Sequence, residues 1–256
     1  MKSILPLIIL ATLLCFVFVM LNRKKKSKQA LIADDENLLN ANVLFYKNLE
    51  KSAQLEFVQR VRKFLAKVLI TGVETNVENL DRILIAAAAI IPIFHFKNWE
   101  YKNLDEVLVY PHSFSSAFSL EGDGRNVIGM VGTGPMERTM ILSKPDLRAG
   151  FSDPLSKSNT AIHEFVHLID KSDGSTDGLP SVLLEHQYAM PWLSYINTTI
   201  QAIEKGDSDI NPYAQTNPAE FFAVVSEYFF KRPELLQEHH PQLFELLETI
   251  FKNKED

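Results

Sequence analysis

The sequence predicts a helix-rich α+β domain with a small mixed sheet, preceded by one N-terminal transmembrane helix. Three observations support this prediction: apolar residues at helical spacing, short β-branched runs bounded by turn residues, and one long apolar run near the N-terminus. Phe57, Val61 and Phe64 are an example of the first pattern, which is typical of amphipathic helices. The run at residues 107–110, stopped by Pro111, is an example of the second, which is typical of strands.

The remaining elements follow from the same patterns. Helices are predicted at residues 57–68, 79–91, 159–172, 181–204 and 218–231, with one more toward the C-terminus. Strands are predicted at residues 107–110, 127–131 and 138–142. The segment Gly132-Thr-Gly-Pro135 between the last two strands favours a hairpin connection. No strong boundary or repeat interrupts the later chain, so we expect one folded domain at residues 49–256.

Composition limits the classes of function that fit this chain. It has 256 residues, a formal net charge of −6 and 46% hydrophobic residues, which is enough for a buried core. The acidic balance argues against a nucleic-acid partner, because such proteins need a basic face. Cys15 is the single cysteine, so an intrachain disulfide and a thiolate-rich metal site are excluded. A metal would have to be bound by His, Asp and Glu.

The apolar run at residues 4–21 predicts a membrane anchor. It is 18 residues long, and at about 1.5 Å rise per residue it nearly spans a hydrocarbon layer of roughly 30 Å. Five cations follow at once, namely Arg23, Lys24, Lys25, Lys26 and Lys28. The positive-inside rule places this flank in the cytoplasm. We therefore expect residues 1–28 to be a single-pass anchor in the inner (cytoplasmic) membrane, residues 29–48 a tether, and the domain cytoplasmic.

A cleaved signal peptide is the alternative for this segment. It requires a basic start, a short apolar core and small residues at a cleavage site. Here the apolar run is long, most of the cations follow it, and no Ala-x-Ala motif comes after it. An uncleaved anchor is therefore the favoured interpretation.

The segment His163-Glu-Phe-Val-His167 predicts a metal site on a helix. Its two histidines are four residues apart, so on a helix they share one face and can both reach one zinc ion at about 2.0–2.1 Å. Glu164 points to the neighbouring side, where a carboxylate can take a proton from zinc-bound water. A chance occurrence of the motif is the alternative, but Phe165 and Val166 indicate a helix that is buried on its remaining side.

Spacing alone leaves the third protein ligand open. Catalytic zinc usually takes three protein ligands and one water molecule. Asp170 lies three residues beyond the second histidine, and its favoured role is to accept the N–H of a ligating imidazole. Glu185 and His186 lie 18 and 19 residues beyond that histidine, on what is predicted to be the next helix. Glu220 and Glu227 are seven residues apart on a later helix and share one face of it.

Two blocks of the chain resemble the signature blocks of the Mlc titration factor A (MtfA) family of zinc-dependent peptidases. The first block is Ile162-His-Glu-Phe-Val-His-Leu-Ile-Asp-Lys-Ser-Asp-Gly174. The second block is Tyr213-Ala-Gln-Thr-Asn-Pro-Ala-Glu-Phe-Phe-Ala-Val-Val-Ser-Glu-Tyr-Phe-Phe230. The resemblance extends more loosely over residues 50–235 and excludes the anchor. It implies a zincin-like metallopeptidase domain similar to the catalytic domain of lethal-factor-type toxins.

The resemblance also implies roles for individual residues. His163, His167 and Glu220 match the zinc ligands of the family, with one ion per chain. Glu164 matches the general base. Tyr213 matches a tyrosine that is a candidate for stabilising the transition state.

These roles change the standing of the other candidates. Glu185 is less favoured as a ligand, and Asp170 and Glu227 are expected to support the ligands without binding the metal. The better-known family members are soluble and are linked to a glucose-regulated transcriptional repressor. A transcriptional regulator is therefore a candidate partner beside a peptide or protein substrate.

Peptide hydrolysis is the favoured function, with two alternatives. A strand at residues 127–131 or 138–142 is a candidate to hold the substrate as an added strand. The first alternative is a zincin-fold protein that sequesters a transcriptional regulator without essential proteolysis, which the anchor and the acidic balance would suit. The second is a purely structural metal site, which is less favoured because such zinc sites are usually closed four-ligand sets rich in cysteine.

Overall fold

The computed structural model describes residues 33–181, 183 and 186–252 of the chain. The anchor predicted at residues 1–28 lies outside the described residues, as do Glu185 and the side chain of His186, two of the candidate ligands. Within the described ranges, no helix has both the length and the apolarity required to cross a bilayer.

Helices account for most of the described chain. In chain order they are α1 (Ala33–Asn42), α2 (Leu44–Lys47), α3 (Lys51–Lys67), α4 (Asn79–Ile90), α5 (Lys144–Ser152), α6 (Thr160–Asp170), α7 (His186–Glu204), α8 (Pro218–Lys231), α9 (Pro233–His239) and α10 (Pro241–Phe251). The strands are β1 (Leu69–Gly72), β2 (Glu106–Tyr110), β3 (Gly129–Val131) and β4 (Thr139–Ser143). Short 3₁₀ turns lie at Gly134–Met136, Lys171–Asp173 and Pro212–Gln215.

The described strands form one mixed sheet with the order β1-β2-β4-β3. β2 pairs in parallel with both β1 and β4, whereas β3 pairs antiparallel with β4, with Gly129 opposite Leu142 and Val131 opposite Met140. The predicted hairpin is therefore present, and β3 forms an edge of the sheet. The helix-rich α+β fold with a small mixed sheet is confirmed.

One large hydrophobic core joins the sheet to the helices around it. The apolar run at residues 83–90 of α4 is buried along its whole length, which explains why this helix has no polar face there. α4 packs against α3, α5 and α6, and α6 packs in turn against α8 and β3. The core therefore holds α6 between the edge strand and α8, and these three elements form the site.

Residues 33–48 differ from the tether expected at residues 29–48. They include α1 and α2, and Leu39, Val43 and Tyr46 are buried in the core. These side chains lie at positions i, i+4 and i+7, which is helical spacing. The packed domain therefore begins earlier than residue 49. The sequence pattern is weak here because residues 34–36 are acidic and both helices are short.

The sequence patterns do not predict β1 or α5. β1 has only four residues and follows α3 after Val68, so its apolar residues read as a continuation of that helix. α5 begins with Lys144 and a proline and buries only Leu147 and Gly150. Neither segment is long or apolar enough to carry a clear periodic pattern.

Candidate metal centre

The histidine-bearing helix α6 begins at a capped turn. The side chain of Asn159 accepts a hydrogen bond from the backbone N–H of Ile162 at 3.1 Å, which satisfies one of the free donors at the helix start. The apolar side of α6 is buried and consists of Ala161, Ile162, Phe165, Val166, Leu168 and Ile169. His163 and His167 lie on the other side, where their side chains are 12% and 13% exposed.

Helix α8 carries two carboxylates and begins in the same way. The side chain of Asn217 accepts a hydrogen bond from the backbone N–H of Glu220 at 2.9 Å. Pro218 occupies the first turn, where backbone N–H groups have no acceptor within the helix, so the proline costs no helical hydrogen bond. Glu220 therefore lies in the first turn of α8, and Glu227 follows two turns later on the same face. This face is directed at the histidines of α6.

Two imidazole nitrogens and one carboxylate oxygen converge between these helices. His163 Nε2 lies 3.0 Å from both His167 Nε2 and Glu220 Oε2, and His167 Nε2 lies 3.3 Å from the same oxygen. Among the described residues, only these three form such a group of potential metal ligands. Two imidazoles and one carboxylate are a donor set that catalytic zinc takes. The residues present therefore fit a zinc ion.

Glu227 contacts Nδ1 of His163, the ring nitrogen that is directed away from the convergent ligand atoms. Nδ1 of His163 donates a hydrogen bond to Glu227 Oε1 at 2.8 Å, and Oε2 of the same carboxylate accepts the backbone N–H of Asn159 at 2.5 Å. Glu227 thus holds both the imidazole ring and the start of α6. Carboxylates orient metal-ligating histidines in this way, by binding the ring nitrogen that does not face the metal.

Asp170, at the end of α6, contacts a loop. Its Oδ2 accepts the backbone N–H of Gly178 at 2.9 Å. Its Oδ1 and Nδ1 of His167 are buried without a hydrogen-bond partner in the part of the chain that the structure describes, so the role of Asp170 as an imidazole acceptor stays a prediction. Burial raises the pKa of Asp170 to about 6. Gly178 lies against the backbone of Pro218, so this loop links α6 to the start of α8.

Glu164 and Tyr213 lie beside the convergent ligand atoms and line the same groove. Glu164 is buried, and burial raises the pKa of its carboxyl group although His163 opposes the shift. Tyr213 is 53% exposed, and its ring centroid lies 6.1 Å from that of His163. Burial and the charge of Glu220 raise the pKa of Tyr213, so its hydroxyl group retains its proton at neutral pH.

The charges of the convergent residues depend strongly on one another. Burial favours the neutral form of His163, but its hydrogen bonds to Glu220 and Glu227 outweigh burial and raise the pKa of the imidazole to about 10. Burial likewise disfavours the charge of Glu220, but His163 and His167 lower the pKa of its carboxyl group. A divalent cation at this position would compete with the proton that His163 holds.

Comparison with known proteins places this site in a family. The family model described as glucose-regulated metallo-peptidase M90 matches residues 19–252. The chain is 30% identical over 200 residues to Mlc titration factor A of Pectobacterium atrosepticum, which covers 73% of each protein. It is 30% identical over 183 residues to Mlc titration factor A of Serratia proteamaculans, covering 66% of this chain and 67% of that protein.

The chain belongs to the M90 metallopeptidase family. The resemblance drawn from the two signature blocks is thereby confirmed. An uncharacterized protein of Synechocystis is also similar, with 27% identity over 225 residues that cover 84% of this chain and 82% of that protein.

A groove in this M90 protein follows the edge strand β3 past the convergent ligand atoms. One part is lined by Met130 and Val131 of β3 and by both histidines. A second part is lined by Asn126 and Ile128 before β3 and by Glu227 of α8. Both parts share Val127, Gly129, His163, Glu164 and Tyr213. The site therefore lies where the two parts of the groove meet.

Gly129 is a site residue that is not evident from the sequence patterns above. A Cβ atom at this position would lie 2.6 Å from Thr160 Cγ2 and 2.7 Å from Glu164 Oε1. Real Cβ contacts are essentially never this short, so glycine allows β3 to approach α6 closely at the position of Glu164. The available signal was a glycine inside a strand pattern, which indicates a close backbone approach.

Proposed function

We propose that this chain is a zinc-dependent peptidase that hydrolyses peptide bonds, with one zinc ion bound by His163, His167 and Glu220. One observation carries the proposal: the distances between the three ligand atoms are 3.0, 3.0 and 3.3 Å. Atoms about 2.0–2.1 Å from a tetrahedral zinc ion lie about 3.3 Å from one another. Three protein ligands leave one position open, which is typical of catalytic zinc. Membership of the M90 family supports a metallopeptidase.

The surrounding residues support hydrolysis. A bound zinc ion would supply a Lewis acid that activates water and polarises a carbonyl group. Glu164 is the proposed general base, which takes a proton from the attacking water and passes it to the leaving amine. Burial raises the pKa of this carboxyl group, which makes the carboxylate a stronger base toward the attacking water. Tyr213 is proposed to donate a hydrogen bond from Oη to the substrate oxygen as charge develops there.

The substrate is proposed to add a strand to the edge of the sheet at β3. This strand borders the groove and passes Glu164 at Gly129, so a peptide paired with it would run past the ligand residues. A mixed sheet whose antiparallel edge strand lies against the metal-site helix is also our reason for proposing a zincin-like domain similar to that of lethal-factor-type toxins.

Two substitutions test the roles of base and ligand. Glu164→Gln is expected to keep zinc and lose hydrolysis, whereas Glu220→Ala is expected to lose zinc; metal content and peptide cleavage are measured on the same preparations. Removal of metal by a chelator should abolish cleavage, and added zinc should restore it. Full activity of Glu164→Gln would exclude this residue as the base. Zinc retained by Glu220→Ala but lost by Glu185→Ala would show that the wrong third ligand has been chosen.

Binding of a transcriptional regulator without essential proteolysis is the second candidate function. Its support is the name of the relatives, Mlc titration factor A, together with the repressor link that the family resemblance implies. Cleavage assays with a chelator control separate the two functions. Regulator binding that persists with Glu164→Gln, in a protein without chelator-sensitive cleavage, would favour the second.

We also propose that the chain is anchored in the inner membrane, with its catalytic domain on the cytoplasmic side. The support is the apolar run at residues 4–21 and the cluster of cations that follows it. Membrane fractionation with carbonate extraction tests the anchor. Release of the full-length protein by carbonate would contradict it.

A further inference from the structure

Lys171 continues the row of side chains that forms the metal centre. It directly follows α6, and its backbone angles, φ −67° and ψ −8°, remain helical. His163, His167 and Lys171 are therefore spaced at four-residue steps along one side of the helix. Lys171 is partly buried and lines the larger part of the groove together with both histidines.

The charge of Lys171 is isolated in this groove. Among the described lining residues of either part, it is the single Lys or Arg, whereas the carboxylates in the lining are Glu164, Glu220 and Glu227. Within the described part of the chain, the ammonium group of Lys171 has no hydrogen bond or ion pair. Lys144, by contrast, pairs with Glu78 and Asp81.

The two parts of the groove differ in their polar residues. Lys171 lines only the part next to Met130 and Val131. The other part has amide and hydroxyl side chains and no cation outside the ligand set; they are Asn126, Ser158, Thr160 and Asn211. A substrate strand along β3 would therefore meet a fixed positive charge on one side of the scissile bond only.

We propose that Lys171 selects peptide substrates that carry a carboxylate on the side of the scissile bond next to Val131. This inference rests on the proposed peptidase function and names its substrate class. A partly buried ammonium group without a partner attracts a carboxylate more strongly than an exposed one, because water screens it less. The carboxylate is either an Asp or Glu side chain or the C-terminal carboxylate of a short peptide.

A purely structural role for Lys171 is the competing explanation. A lysine at the C-terminus of a helix interacts favourably with the helix dipole and the last carbonyl groups. That role affects stability and is indifferent to the charge of a substrate. Substrate charge is therefore the variable that distinguishes the two roles.

The experiment uses zinc-loaded protein and a series of quenched fluorescent peptides. Each peptide carries one Glu, at a position between three residues before and three residues after the scissile bond. Each peptide is compared with its Gln and Lys counterparts, and each is made with a free and an amidated C-terminus. We expect kcat/KM to be about fivefold higher with Glu than with Gln at one position. The position identifies the direction of the substrate strand, and the amidated series distinguishes a side-chain from a terminal carboxylate.

Substitutions at Lys171 assign the preference to this residue. Lys171→Gln should remove it, Lys171→Glu should turn it into a preference for Lys, and Lys171→Arg should retain it. Lys205→Gln is the matched control, because Lys205 is exposed after α7 and outside the lining of the groove. Equal kcat/KM for Glu and Gln peptides in the unsubstituted protein would overturn the proposal and leave the peptidase function standing.

Failure of the proposed function gives a different result. If no peptide is cleaved in a chelator-sensitive manner, the peptidase proposal is contradicted. Binding of the same Glu and Gln peptides to Glu164→Gln, measured by fluorescence anisotropy, still decides the role of Lys171. Tighter binding of the Glu peptide that disappears with Lys171→Gln would support it, and equal binding would overturn it.

Discussion

Glu227 Oε1 accepts a hydrogen bond from His163 Nδ1 at 2.8 Å, although the two residues are 64 positions apart in the chain. Glu227 also accepts the backbone N–H that precedes α6. Helix α8 therefore supplies one proposed ligand, Glu220, and the group that orients another. The geometry of the metal centre depends on the packing of two helices and not on the histidine motif alone.

Glu227→Gln is expected to weaken zinc binding about 10–100-fold, which is the usual effect of losing an acceptor behind a ligating histidine. The amide keeps the size of the side chain but removes the charge that stabilises the Nδ1 proton of His163. Zinc affinity is measured by competition with a chromophoric chelator. Glu234→Gln, at an exposed position of α9, is the control. Equal zinc affinity in both variants would show that Glu227 has no role at the site.

Zinc affinity is expected to rise about tenfold for each pH unit between pH 6 and 8. The pKa of His163 without zinc is raised to about 10, so this imidazole carries a proton throughout that range. Zinc binds neutral imidazole and must displace the proton, which becomes easier as pH rises. Titration calorimetry in buffers of different ionisation enthalpy measures the proton release. Zinc binding without proton release at pH 7 would contradict the raised pKa.

The sequence predicts the parts of this fold that have long or periodic patterns. The apolar residues of α6 and α8 and the four-residue spacing of His163 and His167 are evident in the order of the residues itself. β1 and α5 escape prediction because one is short and the other has few buried residues. Leu39 and Val43 escape because acidic neighbours mask their helical spacing.

The site, like the fold, can be predicted from the sequence only in part. Spacing leaves Glu220 as one of several candidate ligands, because the approach of α8 to α6 is a tertiary contact between distant segments. The family resemblance selects Glu220 from the sequence alone. Neither spacing nor the resemblance identifies Gly129. This glycine matters because an added Cβ would lie only 2.7 Å from Glu164 Oε1, and that distance depends on how β3 packs against α6.

Asp209→Asn is expected to lower the free energy of unfolding by about 1–2 kcal/mol. Asp209 accepts hydrogen bonds from four side chains: Lys157 at 2.5 Å, Tyr228 at 2.9 Å, His239 at 2.8 Å and His240 at 2.6 Å. The cluster joins the chain before α6 to α8 and α9. Asparagine keeps the shape but loses the charge that these donors contact. Urea unfolding at pH 7 measures the difference, with the exposed Asp207→Asn as the control.

The effect of Asp209→Asn is also expected to depend on pH. Burial opposes ionisation of Asp209, but its donors, led by Lys157, lower the pKa of the carboxyl group. A group with a lowered pKa in the folded state stabilises the protein above its unfolded pKa of about 3.9. This contribution is lost as pH falls through the folded pKa. The difference between the two proteins should therefore shrink below about pH 4, and an unchanged difference there would contradict this explanation.

Gly129→Ala is expected to lower kcat/KM about 100-fold while zinc content stays unchanged, because misplacing reacting groups by about 1 Å has effects of this size. The added Cβ would lie 2.9 Å from Glu164 Cγ and closer still to Thr160, so β3 or the base must move. The three atoms nearest to the added methyl group belong to Thr160 and Glu164 and not to the proposed metal ligands. Gly122→Ala is a control, because an added Cβ there meets nothing within 4 Å, although φ is +82°. That substitution should reduce stability without affecting kcat/KM, and similar losses of activity in both variants would mean that general destabilisation, rather than contact with Glu164, explains the result.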